Sequence, residues 1–238
     1  MKAMILAAGL GTRLKPFTEQ HPKALAVINK KSLLQRNIEY LVSFGITDVI
    51  VNVHHFPDQI TDVIKNHNGF GSNVSISDEK DEVLETGGGL IKARKFLDGT
   101  EPFVLMNVDI LTDMDLGKMA EQHVASKALA TLAVTNRKTN RYFLFNELET
   151  LCGWRNDKTG EQKISRETTK YIQKAFSGIH IISPAIFSKI KAKGKFSMVQ
   201  VYLDLCKTNT ISGFDHSTSK FIDVGKPESI TIAEEIFL

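Results

Sequence analysis

A glycine loop near the N-terminus is the first stretch whose residue types could do chemistry. Residues 3–25 read AMILAAGLGTRLKPFTEQHPKAL, an apolar run that leads into Gly9 and Gly11 and is followed by Arg13 and Lys23. A strand that empties into such a loop exposes backbone N–H groups, and these groups bind anions. The two cations add positive charge nearby, so the stretch is suited to holding a polyphosphate. A turn that only reverses the chain would not need these cations at set spacings.

The loop differs from the two common nucleotide-binding loops. The dinucleotide fingerprint needs a third glycine where this sequence has Leu14, and it needs an acidic residue about 20 positions later. Neither is present. A P-loop needs a Gly-Lys-Ser/Thr ending, which is also missing. The missing third glycine and the missing acidic residue exclude a Rossmann oxidoreductase.

Two aspartates follow later apolar runs and could bind a metal. Asp109 comes just after a run that ends at Asn107, and Asp223 follows Phe221 and Ile222. The carboxyl ends of strands are where an α/β sheet places its chemistry. Mg²⁺ prefers a few carboxylates together with phosphate oxygens. Each aspartate could instead cap a neighbouring helix, so both interpretations stay open on the residues alone.

A second glycine cluster, residues 85–89 with the sequence ETGGG, directly precedes a helical pattern. A helix start offers free N–H groups and a partial positive charge. Glycines there also let a ligand approach the backbone closely. The alternative is a flexible linker, but the position at a helix start favours ligand approach.

The elements that must position these residues alternate between strand and helix. A helix begins after Ser32, which is placed to cap it, and residues 48–53 form an apolar run typical of a buried strand. This alternation predicts an α/β fold, with a Rossmann-like, mostly parallel sheet and helices on both faces. Beyond residue 134 the pattern changes to short runs around the turn at 156–160, which predicts a small β-hairpin lobe. The length of 238 residues suits one domain.

Composition argues against several classes of protein. The net charge of +3 is too small to indicate a nucleic-acid partner, and no segment is long enough to cross a membrane. Cys152 and Cys206 lie far apart without metal or redox spacing, so we expect free thiols in a reducing compartment. The expectation is a cytoplasmic protein with no nucleic-acid or membrane partner. No feature of the sequence indicates an oligomeric state.

The first glycine loop lies within a long motif, Gly9-x-Gly11-Thr12-Arg13-Leu14-x-Pro16-x-Thr18-x-x-x-Pro22-Lys23-x-Leu25. This motif resembles the signature of the sugar-1-phosphate nucleotidyltransferases, also called nucleoside-diphosphate-sugar pyrophosphorylases. Within that family the chain looks most like the N-acetylmuramate-1-phosphate uridylyltransferases, with the mannose-1-phosphate guanylyltransferases close by. The resemblance is weakest between about residues 136 and 174. Many relatives carry a Glu-Lys-Pro there that grips the sugar phosphate, and this sequence has no such motif.

The resemblance implies a reaction and a set of catalytic roles. A nucleotidyl group would pass from a nucleoside triphosphate, UTP being favoured, to a sugar 1-phosphate, N-acetylmuramate 1-phosphate being favoured. The products would be a nucleotide sugar and pyrophosphate, as in cell-wall sugar recycling. Arg13 would hold the leaving pyrophosphate, Lys23 would stabilise charge at the α-phosphate, and Asp109 and Asp223 would bind Mg²⁺.

The resemblance also implies which residues bind each substrate. The predicted nucleotide-binding residues are Leu6, Ala7, Ala8, Gly9, Gly11, Thr12, Arg13, Lys23, Glu85, Thr86, Gly87 and Gly88. The predicted sugar-binding residues are Asn107 and Gly178. The single domain, residues 1–238, would divide at about residue 110 into a nucleotide-binding part and a sugar-binding part, with the hairpin lobe over the sugar side.

Three other functions stay open. The same scaffold would suit guanylyl transfer to mannose 1-phosphate or cytidylyl transfer to phosphocholine. In a different class, the chain could be a sensor that binds a nucleotide sugar without turning it over. A sensor would be expected to lack Arg13, Lys23 or one of the two aspartates, and all of them are present.

Overall fold

The computed structural model describes residues 1–79 and 81–237 as an alternating arrangement of strands and helices. The strands are β1 (Lys2–Leu6), β2 (Val27–Ile28), β3 (Lys31–Ser32), β4 (Asp48–Val53), β5 (Asn73–Asp78), β6 (Phe103–Asn107), β7 (Ile110–Thr112), β8 (Ala130–Thr135), β9 (Arg141–Phe145), β10 (Leu151–Asn156), β11 (Glu161–Ile164), β12 (Ile172–Ile182), β13 (Ile211–Asp215) and β14 (Phe221–Asp223). The helices are α1 (Leu33–Ser43), α2 (Pro57–Asn66), α3 (Glu85–Lys92), α4 (Arg94–Leu97), α5 (Leu116–Ser126), α6 (Met198–Leu205) and α7 (Pro227–Ile236).

One large sheet organises the molecule. Its main path runs β11-β10-β9-β12-β6-β1-β4-β5, and β8 and β13 join it beside β12. Strand β1 lies at the centre of the parallel part, between β4 and β6, and β4 also pairs in parallel with β5. The long strand β12 then runs antiparallel to β6, β8 and β9. The predicted α/β fold is confirmed.

Helices pack on both faces of this sheet because successive strand residues point to opposite sides. Ala3 and Ile5 of β1 belong to a core shared with α1, α2 and α5. Met4, between them, belongs to a second core shared with α3, α4 and α6. The near-continuous apolar strands of the parallel part are therefore buried on both sides, as such sheets require.

The predicted hairpin is also confirmed. Strands β10 and β11 run antiparallel, with Asn156 paired to Glu161 across the turn. Strand β9 pairs with β10, and it joins the large sheet through residues 172–174 of β12. We call residues 141–164, which span β9 to β11, the hairpin lobe.

The structure also bears on the two cysteines and on membrane-spanning helices. Cys152 and Cys206 are both buried free thiols. No helix within residues 1–79 and 81–237 is both long and apolar enough to cross a membrane.

Three buried histidines determine how stability should vary with pH. Burial lowers the pKa of His180 from 6.5 to about 3, and those of His123 and His216 to about 4. In the unfolded chain each histidine binds its proton near the ordinary pKa, so the unfolded state holds more protons below about pH 6.5. We therefore expect the free energy of unfolding to fall as the pH drops from about 6.5 to 4.

His180 offers a direct test, because it is almost fully buried and shares a hydrogen bond of 2.7 Å with the Tyr202 hydroxyl. Glutamine can replace that hydrogen bond without titrating. Urea unfolding at about pH 7 and about pH 5 should show a smaller loss of stability in His180→Gln than in the parent. His67→Gln, at an exposed histidine, is the matched control for the substitution itself. Equal pH dependence in His180→Gln and the parent would contradict the assignment.

Candidate active site

A cleft opens where β1, β4 and β6 end, at the carboxyl edge of the parallel sheet. Side chains and backbone from three successive strand ends converge there, as expected for an α/β fold. The cleft is lined by Leu6, Ala7, Ala8, Gly9, Gly11, Thr12, Arg13, Lys23, Asn52, Glu79, Val83, Glu85, Thr86, Asn107, Val108, Asp109 and Gly225. Most of the residues predicted from the sequence are among them.

Gly9 and Gly11 of the first loop lack a side chain for different structural reasons. Gly11 adopts φ +62°, and a Cβ there would lie 2.7 Å from Cγ2 of Thr18. The Thr18 hydroxyl also donates to the Gly11 carbonyl oxygen at 2.9 Å, which fixes the turn. Apart from its neighbours in the chain, no described residue has an atom within 4 Å of a Cβ built at Gly9, so the space beside Gly9 is open to the cleft.

The start of the same loop corrects one expectation. The resemblance implies that the backbone amides from Ala8 to Thr12 cradle the triphosphate, but the amide of Ala8 donates to Oδ1 of Asn52 at 3.3 Å, as the amide of Ala7 does at 2.6 Å. Their N–H groups are therefore already used within the protein. The two alanines line the cleft, and within residues 1–79 and 81–237 the amides from Gly9 to Thr12 donate no hydrogen bond.

Asp109 and Asp223 are brought together by a two-stranded ribbon that stands apart from the large sheet. Strand β14 pairs antiparallel with β7, which sets Asp223 opposite Ile110. The Val224 amide donates to the Asp109 carbonyl oxygen at 2.8 Å. Burial and the Asp109 carboxylate together raise the pKa of Asp223, as expected for two acids placed side by side.

Two cations from the first loop face this pair of acids. Lys23 Nζ forms an ion pair with Oδ2 of Asp109, and both side chains are largely buried. The charges of Lys23 and Arg13 act on Asp223 and oppose the rise of its pKa. The predicted cations and the predicted metal ligands therefore occupy one site.

Gly225 lies between Arg13 and Asp223. A Cβ built on Gly225 would be 2.7 Å from Nη2 of Arg13 and 2.7 Å from Oδ1 of Asp223. These distances are too short for real contacts, so a side chain here would displace one of the two groups. Sequence reasoning did not select Gly225, although it directly follows Val224 in the turn after Asp223.

We expect Gly225→Ala to lower kcat/KM by about 100-fold, the scale on which a misplacement of about 1 Å acts in active sites. The backbone at Gly225 is outside the left-handed region, so alanine should cause no backbone strain there. The effect of the substitution should come from the displaced side chains. Steady-state kinetics and a thermal melt of the purified variant provide the test. An unchanged kcat/KM would show that the placement of Arg13 and Asp223 beside this turn does not matter for turnover.

The second glycine cluster is part of a helix rather than a loop before it, because α3 begins at Glu85. Glu85 and Thr86 line the cleft, as predicted. The amide of Gly87 donates to the Phe196 carbonyl oxygen at 2.9 Å, and a Cβ there would lie 2.3 Å from the Phe196 ring. A Cβ at Gly88 would lie 2.3 Å from the Gly194 carbonyl oxygen.

These contacts correct the predicted role of Gly87 and Gly88. We expected a nucleotide to approach their backbone, but the segment just before α6 already occupies that space. Their lack of side chains serves the packing of α3 against this segment. The Thr86 hydroxyl contributes to the same contact, since it accepts the Met198 amide at 2.9 Å.

The two residues predicted for the sugar lie next to each other. Asn107 ends β6 and lines the cleft. Gly178 of β12 has φ +75°, and a Cβ there would be 2.8 Å from Nδ2 of Asn107. Gly178 therefore does not line the cleft itself, and it makes room for the Asn107 side chain.

Further basic residues lie toward the hairpin lobe. Arg137 donates to the Phe176 carbonyl oxygen at 2.7 Å, and its charge acts on Asp223. Its Nε is buried with no hydrogen-bond partner in the described part of the chain. Lys174 is held by Asp215, at 2.5 Å. Lys174 is therefore paired with an acid, whereas Arg137 has a buried donor that no described residue uses. Sequence reasoning did not select Arg137.

The donor set suits Mg²⁺. This ion is usually held by one or two carboxylates, and substrate phosphates and waters complete its shell. Asp109 and Asp223 supply two adjacent carboxylates, one of which is destabilised in its charged form by the other. A divalent cation would relieve that repulsion. The described residues contain no group of three or more acidic, histidine or cysteine side chains arranged for a metal, so the remaining ligands would have to come from substrate and water.

Comparisons with known proteins identify the family of the chain. The sequence model of the family described as Nucleotidyl transferase matches residues 2–144. An N-acetylmuramate alpha-1-phosphate uridylyltransferase of Neisseria meningitidis is 30% identical over 94% of this chain and 93% of its own length. A mannose-1-phosphate guanyltransferase of Yarrowia lipolytica is 28% identical over the whole chain, which spans 64% of the length of that relative.

A solved structure supports the same assignment. The crystal structure of HddC from Yersinia pseudotuberculosis, complexed with GMP-PN, is 27% identical, and the alignment covers 100% of this chain and 99% of that one. The TM-score of 0.78 shows that the two folds agree throughout. The chain belongs to the nucleotidyl transferase family.

Proposed function

We propose that the protein transfers a nucleotidyl group from a nucleoside triphosphate to a sugar 1-phosphate, releasing pyrophosphate. The observation that carries this proposal is the meeting of Lys23 and Arg13 with Asp109 and Asp223 at the mouth of the glycine loop. The phosphate of the acceptor is already ionised at neutral pH, so no general base is needed. Holding two reactants in line can contribute roughly 7–11 kcal/mol, which makes alignment the main task of the site.

Each part of the site has a role in this proposal. The open side of the loop from Gly9 onward receives the triphosphate, and Arg13 binds the leaving pyrophosphate with its planar fork of donors. Lys23 stabilises charge at the α-phosphate. Asp109 and Asp223 would hold Mg²⁺, which would neutralise charge that develops on the phosphate oxygens when it is bound.

We assign the nucleotide to the part of the domain up to about residue 110 and the sugar to residues 111–238, with Asn107 at the border. On the sugar side we add Arg137 to the predicted residues, because its charge acts on Asp223. The same proposal places the protein in the cytoplasm, where thiols such as Cys152 and Cys206 stay reduced.

For the substrates we favour UTP and N-acetylmuramate 1-phosphate. One support is that the Glu85–Gly88 run resembles the corresponding run of the muramate uridylyltransferases. The other is the identity of 30% to the Neisseria uridylyltransferase. The second candidate is guanylyl transfer to mannose 1-phosphate. It is favoured by the guanyltransferase relative and by the similarity to a structure complexed with GMP-PN.

A pyrophosphate-release assay with Mg²⁺ tests both candidates. It crosses UTP, GTP, CTP and dTTP against N-acetylmuramate 1-phosphate, mannose 1-phosphate, glucose 1-phosphate and phosphocholine. Release with UTP and the muramate would support the favoured pair and a role in cell-wall sugar recycling. Another successful pair would keep the reaction and change the substrates. Nucleotide binding without release from any pair would contradict the proposed function and favour a sensor.

A further inference from the structure

Asn52 lies at the bottom of the cleft and contacts the first residues of the glycine loop. Strand β1 ends at Leu6, which pairs with Asn52 in the parallel register of β1 and β4. The next two amides, those of Ala7 and Ala8, both donate to Oδ1 of Asn52. One side-chain oxygen thus replaces the sheet partners that these amides lose where the chain leaves β1.

Glu79 fixes the orientation of that amide. Nδ2 of Asn52 donates to Oε1 of Glu79 at 2.7 Å, while Oε2 accepts the Leu84 amide at 3.3 Å. Both oxygens of the Glu79 side chain act as acceptors, so this group presents an acceptor to the NH₂ end of Asn52. It therefore holds the NH₂ end of Asn52 toward itself and leaves Oδ1 to face Ala7 and Ala8. A neutral partner such as glutamine could present either end.

The surroundings of Glu79 hold the carboxylate in place. The side chain is fully buried, and the backbone amide of Glu79 donates to the Val53 carbonyl oxygen at 2.7 Å. The Glu79 carbonyl oxygen lies 2.7 Å from Nδ1 of His54. Gly89 of α3 completes the pocket, because a Cβ there would lie 2.6 Å from Oε1 of Glu79 and 3.0 Å from Nδ2 of Asn52.

We propose that Asn52 and Glu79 form a positioning pair, in which Glu79 orients the Asn52 amide so that it sets the entry of the loop that binds the nucleoside triphosphate. Neither residue needs to touch the reacting atoms. The inference rests on the proposed function in one respect, namely that the loop binds a nucleoside triphosphate.

The inference can be tested by exchanging the amide and the carboxylate between residues 52 and 79. Asn52→Asp keeps the shape and an acceptor for Ala7 and Ala8, but it sets a second carboxylate against Glu79. Glu79→Gln keeps an acceptor for the Asn52 amide and loses only the contact to the Leu84 amide. In the double variant Asn52→Asp/Glu79→Gln every hydrogen bond can form again. The NH₂ group of the introduced glutamine donates to the introduced aspartate, and the glutamine oxygen accepts the Leu84 amide.

The first measurement needs no substrate. Amide hydrogen exchange at Ala7 and Ala8 in the ligand-free protein should be at least about tenfold faster in Asn52→Asp, since a charged hydrogen bond is lost and repulsion replaces it. The double variant should return to within about threefold of the parent. Asn73→Asp is the matched control, because Asn73 donates to Asp48 at the opposite end of β4 and β5, and it should leave both amides unchanged.

The second measurement concerns the nucleoside triphosphate. With the substrate pair that the parent uses, KM for the triphosphate should rise about 10–100-fold in Asn52→Asp, the fold-change expected for one charged hydrogen bond. KM for the acceptor should stay within about twofold. Glu79→Gln alone should raise this KM, but less than Asn52→Asp does, because glutamine can present either end to Asn52 and loses the contact to the Leu84 amide. Adding it to Asn52→Asp should recover at least about tenfold. A purely structural defect would lower the active fraction and would leave both KM values unchanged.

The outcomes separate this inference from the proposed function. If the parent turns over no pair, the proposed function fails, and amide exchange still decides on the positioning pair. If Asn52→Asp does not fold, folding of the double variant supports the pair, and failure of both overturns it. Unchanged exchange in Asn52→Asp overturns the inference, as does a double variant no better than Asn52→Asp. Restored exchange with a KM that stays raised overturns the link to nucleotide binding.

Discussion

Asp109→Asn is expected to lower kcat/KM by about 1,000-fold, the scale on which the loss of a preorganised electrostatic contact acts in other enzymes. The substitution keeps the shape of the side chain and removes its charge. Asp223 alone would then supply a carboxylate to the metal, and Lys23 would lose its ion-pair partner. Pyrophosphate release at saturating acceptor and increasing Mg²⁺ provides the measurement, with a requirement for more Mg²⁺ as a second signature.

The control for this prediction is Asp62→Asn, which removes the same charge from an exposed position on α2. It should leave both kcat/KM and the Mg²⁺ requirement as in the parent. A thermal melt identifies any general loss of fold in Asp109→Asn. If a folded Asp109→Asn variant works within about threefold of the parent, Asp109 is not a metal ligand, and the metal assignment has to be abandoned.

Lys23→Met should have two effects of opposite sign. The Lys23 side chain is largely buried and paired with Asp109, so it competes with a metal for that carboxylate before substrates bind. Its removal should let Mg²⁺ bind at lower concentration. The same change removes a cation from the α-phosphate, so kcat should fall by about 100-fold or more. Titrating Mg²⁺ in the release assay measures both effects.

Lys15→Met is the matched control, because Lys15 belongs to the same segment but is mostly exposed and pairs only with Glu19 at 3.4 Å among the described residues. Surface pairs of this kind contribute little, so both the Mg²⁺ dependence and kcat should be unchanged. A Lys23→Met variant with parental kcat would show that the α-phosphate needs no cation from this position.

The sequence was informative where the relevant contacts are local or lie at strand ends. The apolar run before Gly9 predicts a buried strand, which is β1, and Asp109 follows β6 as predicted. Asp223 also ends a strand, but this strand, β14, pairs with β7 in a separate ribbon. Ser32 caps α1 as predicted, accepting the Gln35 amide at 3.1 Å. Gln35 lies three residues after Ser32, where a glutamine can complete a capping box, but its side chain donates to Glu39 at 2.9 Å.

The sequence was misleading where a distant segment decides what a residue does. Three glycines at a helix start suggest an open approach for a ligand, yet Gly87 packs against Phe196, more than 100 positions away in the sequence. Asn52 is the one polar residue in the buried part of β4, residues 49–53, and its partner Glu79 is 27 residues further on. No periodicity reveals such a pairing, although a lone polar residue within a buried strand is a signal that could have been followed.

The way in which the hairpin lobe is attached has a consequence for substrate range. Among the described pairings, none of β9, β10 and β11 pairs with β1, β4 or β6, the strands that carry the cleft. Changes of length or sequence in the lobe, for instance at the turn near Asn156, can therefore leave the phosphate chemistry where it is. Under the proposed function, grafting the lobe of a relative would change the sugar that the protein accepts while the strands that carry the cleft stay unaltered.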